Sequence, residues 1–314
     1  MGNEFRGCLE HSAEYFGDSR EYWWNTDYLA FVASQWHLDA VDKVLDVGCG
    51  VGHWGRLLAT VLRPDALVVG IDREPLWTEK ATEFAAAARL SDRFCYQQGD
   101  VGDLPFPDNS FDLVTCQTLL MHLAEPAKAL AEMVRVARPG GTVLVSEPNN
   151  VLGPIIADAV GLGGWLEVDD GPLRIARCVE FQLVCQRGRR LLGEGDDLIG
   201  ERLPKLLADA GLAEIQIRLN DKASPLVPPY DQPEQQVMVE ETIDFVERGR
   251  WVWPREATLR YFLAGGGTEP EFAALWEGMF ELRRRTVRAL RDKTGSCAGG
   301  NLAYLAWGWK PESS

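Results

Sequence analysis

Between residues 41 and 150 the hydrophobic pattern switches period repeatedly. Short apolar runs of strand length alternate with stretches whose apolar residues recur every three or four positions. "VDKVLDVG" (41–48) is an apolar run ending in glycine and predicts a buried strand. "HWGRLLATVL" (53–62) follows, with Trp54, Leu57, Leu58, Val61 and Leu62 on one helical face and Pro64 as the stop. "ALVVGID" (66–72) is a second strand, "PLWTEKATEFAAAARL" (75–90) a second helix, "RFCYQQGD" (93–100) a third strand and "FDLVTCQT" (111–118) a fourth. "PAKALAEMVRVA" (126–137) predicts a helix that buries Ala127, Leu130, Ala131, Val134 and Ala137, and "TVLVSEP" (142–148) a fifth strand. Strands joined by helices of this length pair in parallel, so the expected class is α/β with a doubly wound sheet.

The regular pattern then breaks. Residues 151–194 read as an insertion. "LIGERLPKLLADAGL" (198–212) resumes helical spacing at Ile199, Leu203, Leu206, Leu207 and Ala210, and "AEIQIRL" (213–219) is a sixth strand. Residues 222–300 open with a proline-rich link and turn helical. One helix there starts at "TEPE", where Thr268 and Glu271 have capping-box spacing and Pro270 sits in the first turn. "NLAYLAWGWK" (301–310) reads as a last strand. The expected organisation is an N-terminal cap (1–37), a first core part (38–150), an insertion (151–194), core completion at 195–221 and 301–311, and a helical lid (222–300).

The chemistry concentrates in "VLDVGCGVG" (44–52). Glycines at the carboxyl end of a strand let the chain turn tightly and approach a ligand closely, and the next helix offers free N–H groups. Gly50, Gly52 and Gly55 fit GxGxxG, and Asp72 lies 20 residues beyond Gly52, which suits a dinucleotide. Asp46 argues otherwise. A carboxylate two residues before the first glycine repels a pyrophosphate and suits a cationic group. Asp72, Asp100 and Gln117 then recur at the ends of successive strands.

At these residues the chain resembles the class I S-adenosylmethionine-dependent methyltransferases, especially the branch with ubiquinone/menaquinone-type and small-molecule enzymes. "VLDVGCGVG" is similar to the family's first motif, "VVGID" to its acidic ribose motif, and "QGDVGDLPFPDNSFDLVTCQTLLMHL" to its adenine motif and fourth strand. "EMVRVARPGGTVLVSEP" is similar to its following helix and fifth strand. The match is close over about 41–150 and holds only in pattern beyond. The resemblance implies a Rossmann-like, mostly parallel seven-stranded sheet with the last strand antiparallel. It also implies S-adenosylmethionine as cofactor and S-adenosylhomocysteine as product. Gly48, Cys49, Gly50 and Gly52 would cradle the methionine part, with Asp46 near its ammonium. Asp72, with Arg73 beside it, would take the ribose hydroxyls, Asp100 and Val101 the adenine, and Gln117 would lie beside the sulfonium.

The sulfonium carries the reactivity, so few catalytic side chains are required. His122, just past the fourth strand, and Glu147, at the end of the fifth, are the candidate bases. His53 is expected to pack beside the cofactor. Tyr15, Arg20 and Tyr22 precede the core in a segment that caps the cofactor in this family, and Trp251, Trp253, Tyr261 and Phe262 lie in the lid. The aromatic residues suit a flat or cationic substrate, or else form the small core of the lid; Tyr15, Tyr22, Trp251 and Trp253 are the substrate candidates.

Composition narrows the partner. The formal net charge is −15 and the pI about 4.8, which disfavours a polyanionic partner. The basic runs "RGRR" (187–190) and "RRRTVRALRDK" (283–293) read as solvated helix faces. Seven scattered cysteines without a CxxC suggest reduced, mostly buried thiols and neither a disulfide frame nor a metal site. With no signal-peptide core and no membrane-spanning run, the expected location is the cytoplasm. The expected function is methyl transfer to a small-molecule acceptor. A protein or nucleic-acid methyltransferase, or a non-catalytic cofactor-binding regulator, are the alternatives, with the oligomeric state open.

Overall fold

Each apolar run that the alternating pattern marks becomes a strand: β1 (Lys43–Val47), β2 (Leu67–Asp72), β3 (Phe94–Gln98), β4 (Phe111–Gln117), β5 (Ala137–Pro148), β6 (Ala213–Leu219) and β7 (Ala303–Trp309). The structure is a computed structural model and describes residues 18–150, 171–250 and 252–312. The sheet order is β3-β2-β1-β4-β5-β7-β6. β1 pairs in parallel with β2 and β4, β2 with β3, and β4 with β5. β7 is antiparallel to both of its neighbours, β5 and β6. The order reverses between β1 and β4, where an open α/β sheet forms its binding crevice.

Both faces are covered, as unbroken apolar strands require. On one face Val44, Leu113, Leu144, Leu305 and Trp307 pack beneath α1 (Thr26–Ala33), α2 (His53–Leu58) and α3 (Pro75–Ala87). On the other, Leu45, Val47, Val114, Cys116 and Val145 pack beneath α4 (Pro126–Val136) and α6 (Leu203–Asp209). A helical layer lies apart. It comprises α5 (Gly171–Leu191), α7 (Pro233–Glu247), α8 (Arg255–Ala264) and α9 (Glu269–Arg291). Its own core holds Phe181, Tyr261, Phe262, Phe272, Trp276 and Phe280. Thr268 caps α9, its N–H donating to Glu271 Oε2 at 3.0 Å. No helix among the described residues is long and apolar enough to cross a membrane.

Three expectations change. In α4 the buried residues are Ala129, Leu130, Met133 and Val136, whereas Ala127 and Ala131 are exposed. The chain passes straight from Val136 into β5, and that exit sets the rotation of the helix. The "RGRR" run is not wholly solvated, because Arg189 is only 4% exposed and ion-paired to Asp197. Cys95 is exposed, because β3 is an edge strand.

Close approach of α5 to α8 rests on two glycines. A Cβ on Gly188 would lie 1.8 Å from the carbonyl oxygen of Tyr261, and one on Gly265 would lie 2.0 Å from that of Val184. Backbone cannot yield as a flexible side chain does, so the helices must separate. Gly188→Ala is expected to lower stability by at least ~1–3 kcal/mol, an overpacking cost, and Gly265→Ala likewise. Once one alanine has parted the helices the second adds less, so urea unfolding of the double mutant should show a loss smaller than the sum. Full additivity would show that the two contacts are independent.

Candidate active site

The chain leaves β1 through a turn that only glycine adopts without strain. Gly48, Gly50 and Gly52 have φ of 65°, 51° and 71°. The turn also threads a narrow gap: a Cβ on Gly48 would lie 2.5 Å from Leu119 Cδ1, and one on Gly52 would lie 2.3 Å from the hydroxyl of Tyr96. Two carboxylates hold it. Asp72, at the end of β2, accepts the Gly50 N–H at 2.9 Å through Oδ2 and the Glu74 N–H at 3.0 Å through Oδ1. Asp46 sits beneath, 1% exposed, and its Oδ2 accepts the Gly55 N–H at 3.0 Å. The Oδ1 of Asp46 is buried and has no hydrogen-bond partner among the described residues. Burial pushes Asp46 up to about 7, against the Gly55 N–H, and Asp72 nearby adds to the rise. Two buried acids and one unused oxygen make this a site short of positive charge.

The other strand ends carry the remaining sequence candidates. The buried Cys49 donates its thiol to the Gly50 carbonyl, and burial raises it well above the usual thiol range. Arg73 is exposed beside Glu74. Asp100 is exposed and closes a turn by accepting the Gly102 N–H at 2.6 Å, while Val101 packs against the core below. Gln117 is the half-buried last residue of β4, in register with Ser146.

The ends of β4 and β5 change the reading of both candidate bases. Glu147 is fully buried. Its carboxylate accepts the N–H groups of Leu119, Leu120 and Met121 at 2.9, 2.7 and 3.3 Å, which fixes the 3-10 turn Leu120–His122. Burial raises it to about 8 against these donors, and Asp197 contributes. His122 is exposed, and its Nδ1 lies 3.3 Å from Nη2 of Arg189. A guanidinium only donates, so Nδ1 is the acceptor in this contact when the ring carries its proton on Nε2. Glu147 holds the turn after β4 through its three backbone contacts, and His122 stands on that turn.

Sequence reasoning missed the group that His122 meets there. Arg189 pairs with Asp197 and lies 5.6 Å from the centre of the Trp253 ring. Gln182, Gln186 and Arg189 form one polar face of α5: Gln182 donates to the Asn150 carbonyl at 2.7 Å and Gln186 to Asp196 at 3.3 Å. Their spacing of four and three residues was the only available signal, and charge made it read as solvent-facing.

The N-terminal segment joins the site at the 3-10 turn Asp18–Tyr22. Glu21 reaches Nδ1 of the buried His53 at 3.2 Å and Arg56 at 3.5 Å, so His53 is engaged by the cap. Ser19 N–H donates to Glu241 of α7 at 3.1 Å. Burial pulls Arg20 down to about 10, against the attraction of Glu241. Tyr22 lines a pocket between this turn and α7. Trp253 stacks edge-on to Tyr261 at 5.1 Å, and Tyr261 and Phe262 are core residues of the helical layer. Tyr15 and Trp251 lie outside the described residues.

A family model described as a methyltransferase domain matches residues 38–184. The chain is 38% identical over 105 residues to a chloroplastic tocopherol O-methyltransferase of Arabidopsis thaliana, covering 33% of this chain and 30% of that protein. It is 37% identical over 124 residues to a demethylmenaquinone methyltransferase of Symbiobacterium thermophilum, covering 40% and 49%. It is 32% identical over 186 residues to an uncharacterized 37.1 kDa protein in transposon TN4556 of Streptomyces fradiae, covering 56% and 46%. The chain thus spans about half or less of the length of each of these relatives. The solved structure of the YcgJ protein of Bacillus subtilis shares the fold, with a TM-score of 0.50 and 17% identity over 92% of this chain and all of that one. The methyltransferase-domain match lies on residues 38–184, and the named relatives that align with it are methyltransferases.

The residues at the end of β1 fit the family's cofactor. An ammonium would supply a positive charge beside Asp46, and the acceptor oxygens of Asp72, which hold the Gly50 and Glu74 N–H groups, are of the type that suits a diol. Below about pH 7 Asp46 holds a proton in the free protein, and a bound ammonium favours its loss. Affinity for S-adenosylhomocysteine should therefore rise between pH 5.5 and 7.5, with proton release, and Asp46→Asn should weaken binding and abolish the slope. Calorimetry in buffers of different ionisation enthalpy checks both. For Glu147 the raised folded value means stability that is present at low pH and lost as pH climbs from the unfolded value, ~4.3, through about 8. Glu147→Gln should remove that loss, so the stability of the variant relative to the parent should increase from pH 5 to 8. A difference independent of pH would contradict it.

Proposed function

We propose that the chain transfers the methyl group of S-adenosylmethionine to a small-molecule acceptor at the carboxyl ends of β4 and β5. The buried Oδ1 of Asp46 beneath the glycine turn, without a hydrogen-bond partner among the described residues, carries this reading, because a cationic ligand group would satisfy it. Asp46 holds the ammonium, Asp72 the ribose hydroxyls, Asp100 and Val101 the adenine, and Gln117 borders the reacting end. The small-molecule acceptor is supported by the substrates named for the relatives and by the net charge of −15.

The bound cofactor supplies an electrophilic methyl carbon. A lone pair of the acceptor forms the new bond to that carbon as the carbon–sulfur bond breaks, and the bonding pair stays on sulfur. A hydroxyl or amine acceptor gives up its proton to water. The chain holds the acceptor in line and excludes water from the crevice. Glu147 does this at second hand, by locking the backbone of Leu119–Met121 beside the end of β4.

The test is formation of S-adenosylhomocysteine when purified protein and S-adenosylmethionine meet a metabolite fraction of small molecules, against nucleic-acid and protein fractions. Turnover confined to the small-molecule fraction supports the proposal. Binding of NAD without any response to S-adenosylmethionine overturns it. With an acceptor in hand, His122→Gln should keep turnover within about tenfold, since removing a general base typically costs ~10²–10⁴. A larger fall at unchanged cofactor affinity would restore His122 as the base.

A further inference from the structure

A pocket of about 290 Å³ opens at the carboxyl end of the sheet, on its β6–β7 side. One wall is the turn Asp18–Tyr22, through Ser19 and Tyr22, with Trp23 following. The facing wall is α7, through Met238, Thr242 and Phe245, and α9 closes it with Thr286. Lys222, just past β6, and Asn301, just before β7, form the floor.

Two connections tie this pocket to the transfer site. Asn301 is followed by Leu302, whose carbonyl accepts the N–H of Asn149 at 2.8 Å, immediately beyond the end of β5. The turn that lines the pocket through Ser19 and Tyr22 reaches the helix behind the glycine turn through Glu21, His53 and Arg56. Pocket and cofactor loop therefore share one short segment.

The charges around the pocket are occupied. The ammonium of Lys222 is 9% exposed and sits 3.0 Å from Glu234 and 3.3 Å from Asn25 Oδ1. Glu241 accepts the Ser19 N–H and faces Arg20. Arg283 donates to the Arg250 carbonyl at 3.3 Å and lies 5.6 Å from the centre of the Phe245 ring. A cation would have to displace Lys222 or Arg20 from its carboxylate, and an anion would meet Glu234 and Glu241; either is costly at partly buried groups. The surface left for recognition is aromatic and thioether (Trp23, Met238, Phe245), with the hydroxyls of Ser224, Thr242 and Thr286.

Resting on the methyl-transfer reading above, we infer that this pocket receives the body of the acceptor, and that the acceptor is an uncharged, largely apolar ring compound bearing hydroxyl groups. The volume lies at the lower limit of small-molecule sites, about 300–1,000 Å³, which suits a fused bicyclic ring or a ring with a short chain.

Three isosteric probes test the inference: 2-naphthol, 2-naphthoate and 2-naphthylmethylammonium. Each is titrated calorimetrically at pH 7 into the full chain saturated with S-adenosylhomocysteine. The neutral naphthol should bind at least tenfold more tightly than either charged probe. Thr242→Trp, which fills the pocket from a half-buried position, and Phe245→Leu, which trims its wall, should each weaken naphthol at least tenfold and leave the affinity for S-adenosylhomocysteine within twofold. Thermal melts check that both variants are folded. A charged probe that binds as well as naphthol, absence of naphthol binding, or naphthol binding that ignores both substitutions overturns the inference. The cofactor titration separates the two claims. If S-adenosylhomocysteine binds and naphthol does not, only the acceptor inference falls; if S-adenosylhomocysteine fails to bind, the methyl-transfer reading falls and takes the acceptor role with it.

Discussion

Two buried carboxylates hold the end of β1, and the geometry of the site follows from them. Asp72 fastens Gly50 and Asp46 fastens Gly55, so the turn between is gripped at both ends. The turn is thereby pressed between Tyr96 on β3 and Leu119 past β4, and its left-handed backbone disfavours a side chain at Gly48 or Gly52. Burying two acids side by side is unfavourable in the free protein. Arg56 and the Gly55 N–H offset part of this cost, and a positively charged ligand group at Asp46 would offset more of it.

A second constraint is the way each further element is anchored to this end of the sheet by a small set of polar contacts. Glu147 ties the turn after β4 to β5. Arg189 ties α5 to that same turn through His122, and to Asp197 before α6. The N-terminal turn bridges α2 and α7 through Glu21 and Ser19. The helical layer keeps an aromatic core of its own, separate from the two clusters that cover the sheet.

The fold was legible because its signals are local. Strand-length apolar runs, their spacing and the glycines that follow β1 and β3 are properties of ten residues at a time, and all seven strands lie where those runs lie. The gathering of Asp46, Asp72, Asp100 and Gln117 at one edge of the sheet follows from parallel pairing, since each stands at a strand's carboxyl end. What was illegible depends on partners far away in the chain. The contact of His122 with Arg189 joins residues 67 positions apart. Glu147 looked like a free carboxylate until the chain behind it folded back and presented three N–H groups. Trp253 and Tyr261 have an aromatic composition that serves a substrate wall and a helical core equally well, and only packing against Phe181 and Phe272 decides for Tyr261.

The claim on which the account turns is that a cation of the bound cofactor lies against Asp46. Carbon-13 NMR of aspartate-labelled protein reads this directly, with Asp46 assigned through Asp46→Asn. In the free protein the Asp46 carboxyl should titrate near 7, and with S-adenosylhomocysteine bound its midpoint should fall by more than a pH unit. A midpoint that stays where it was on binding would place the ligand's charge elsewhere and contradict the account.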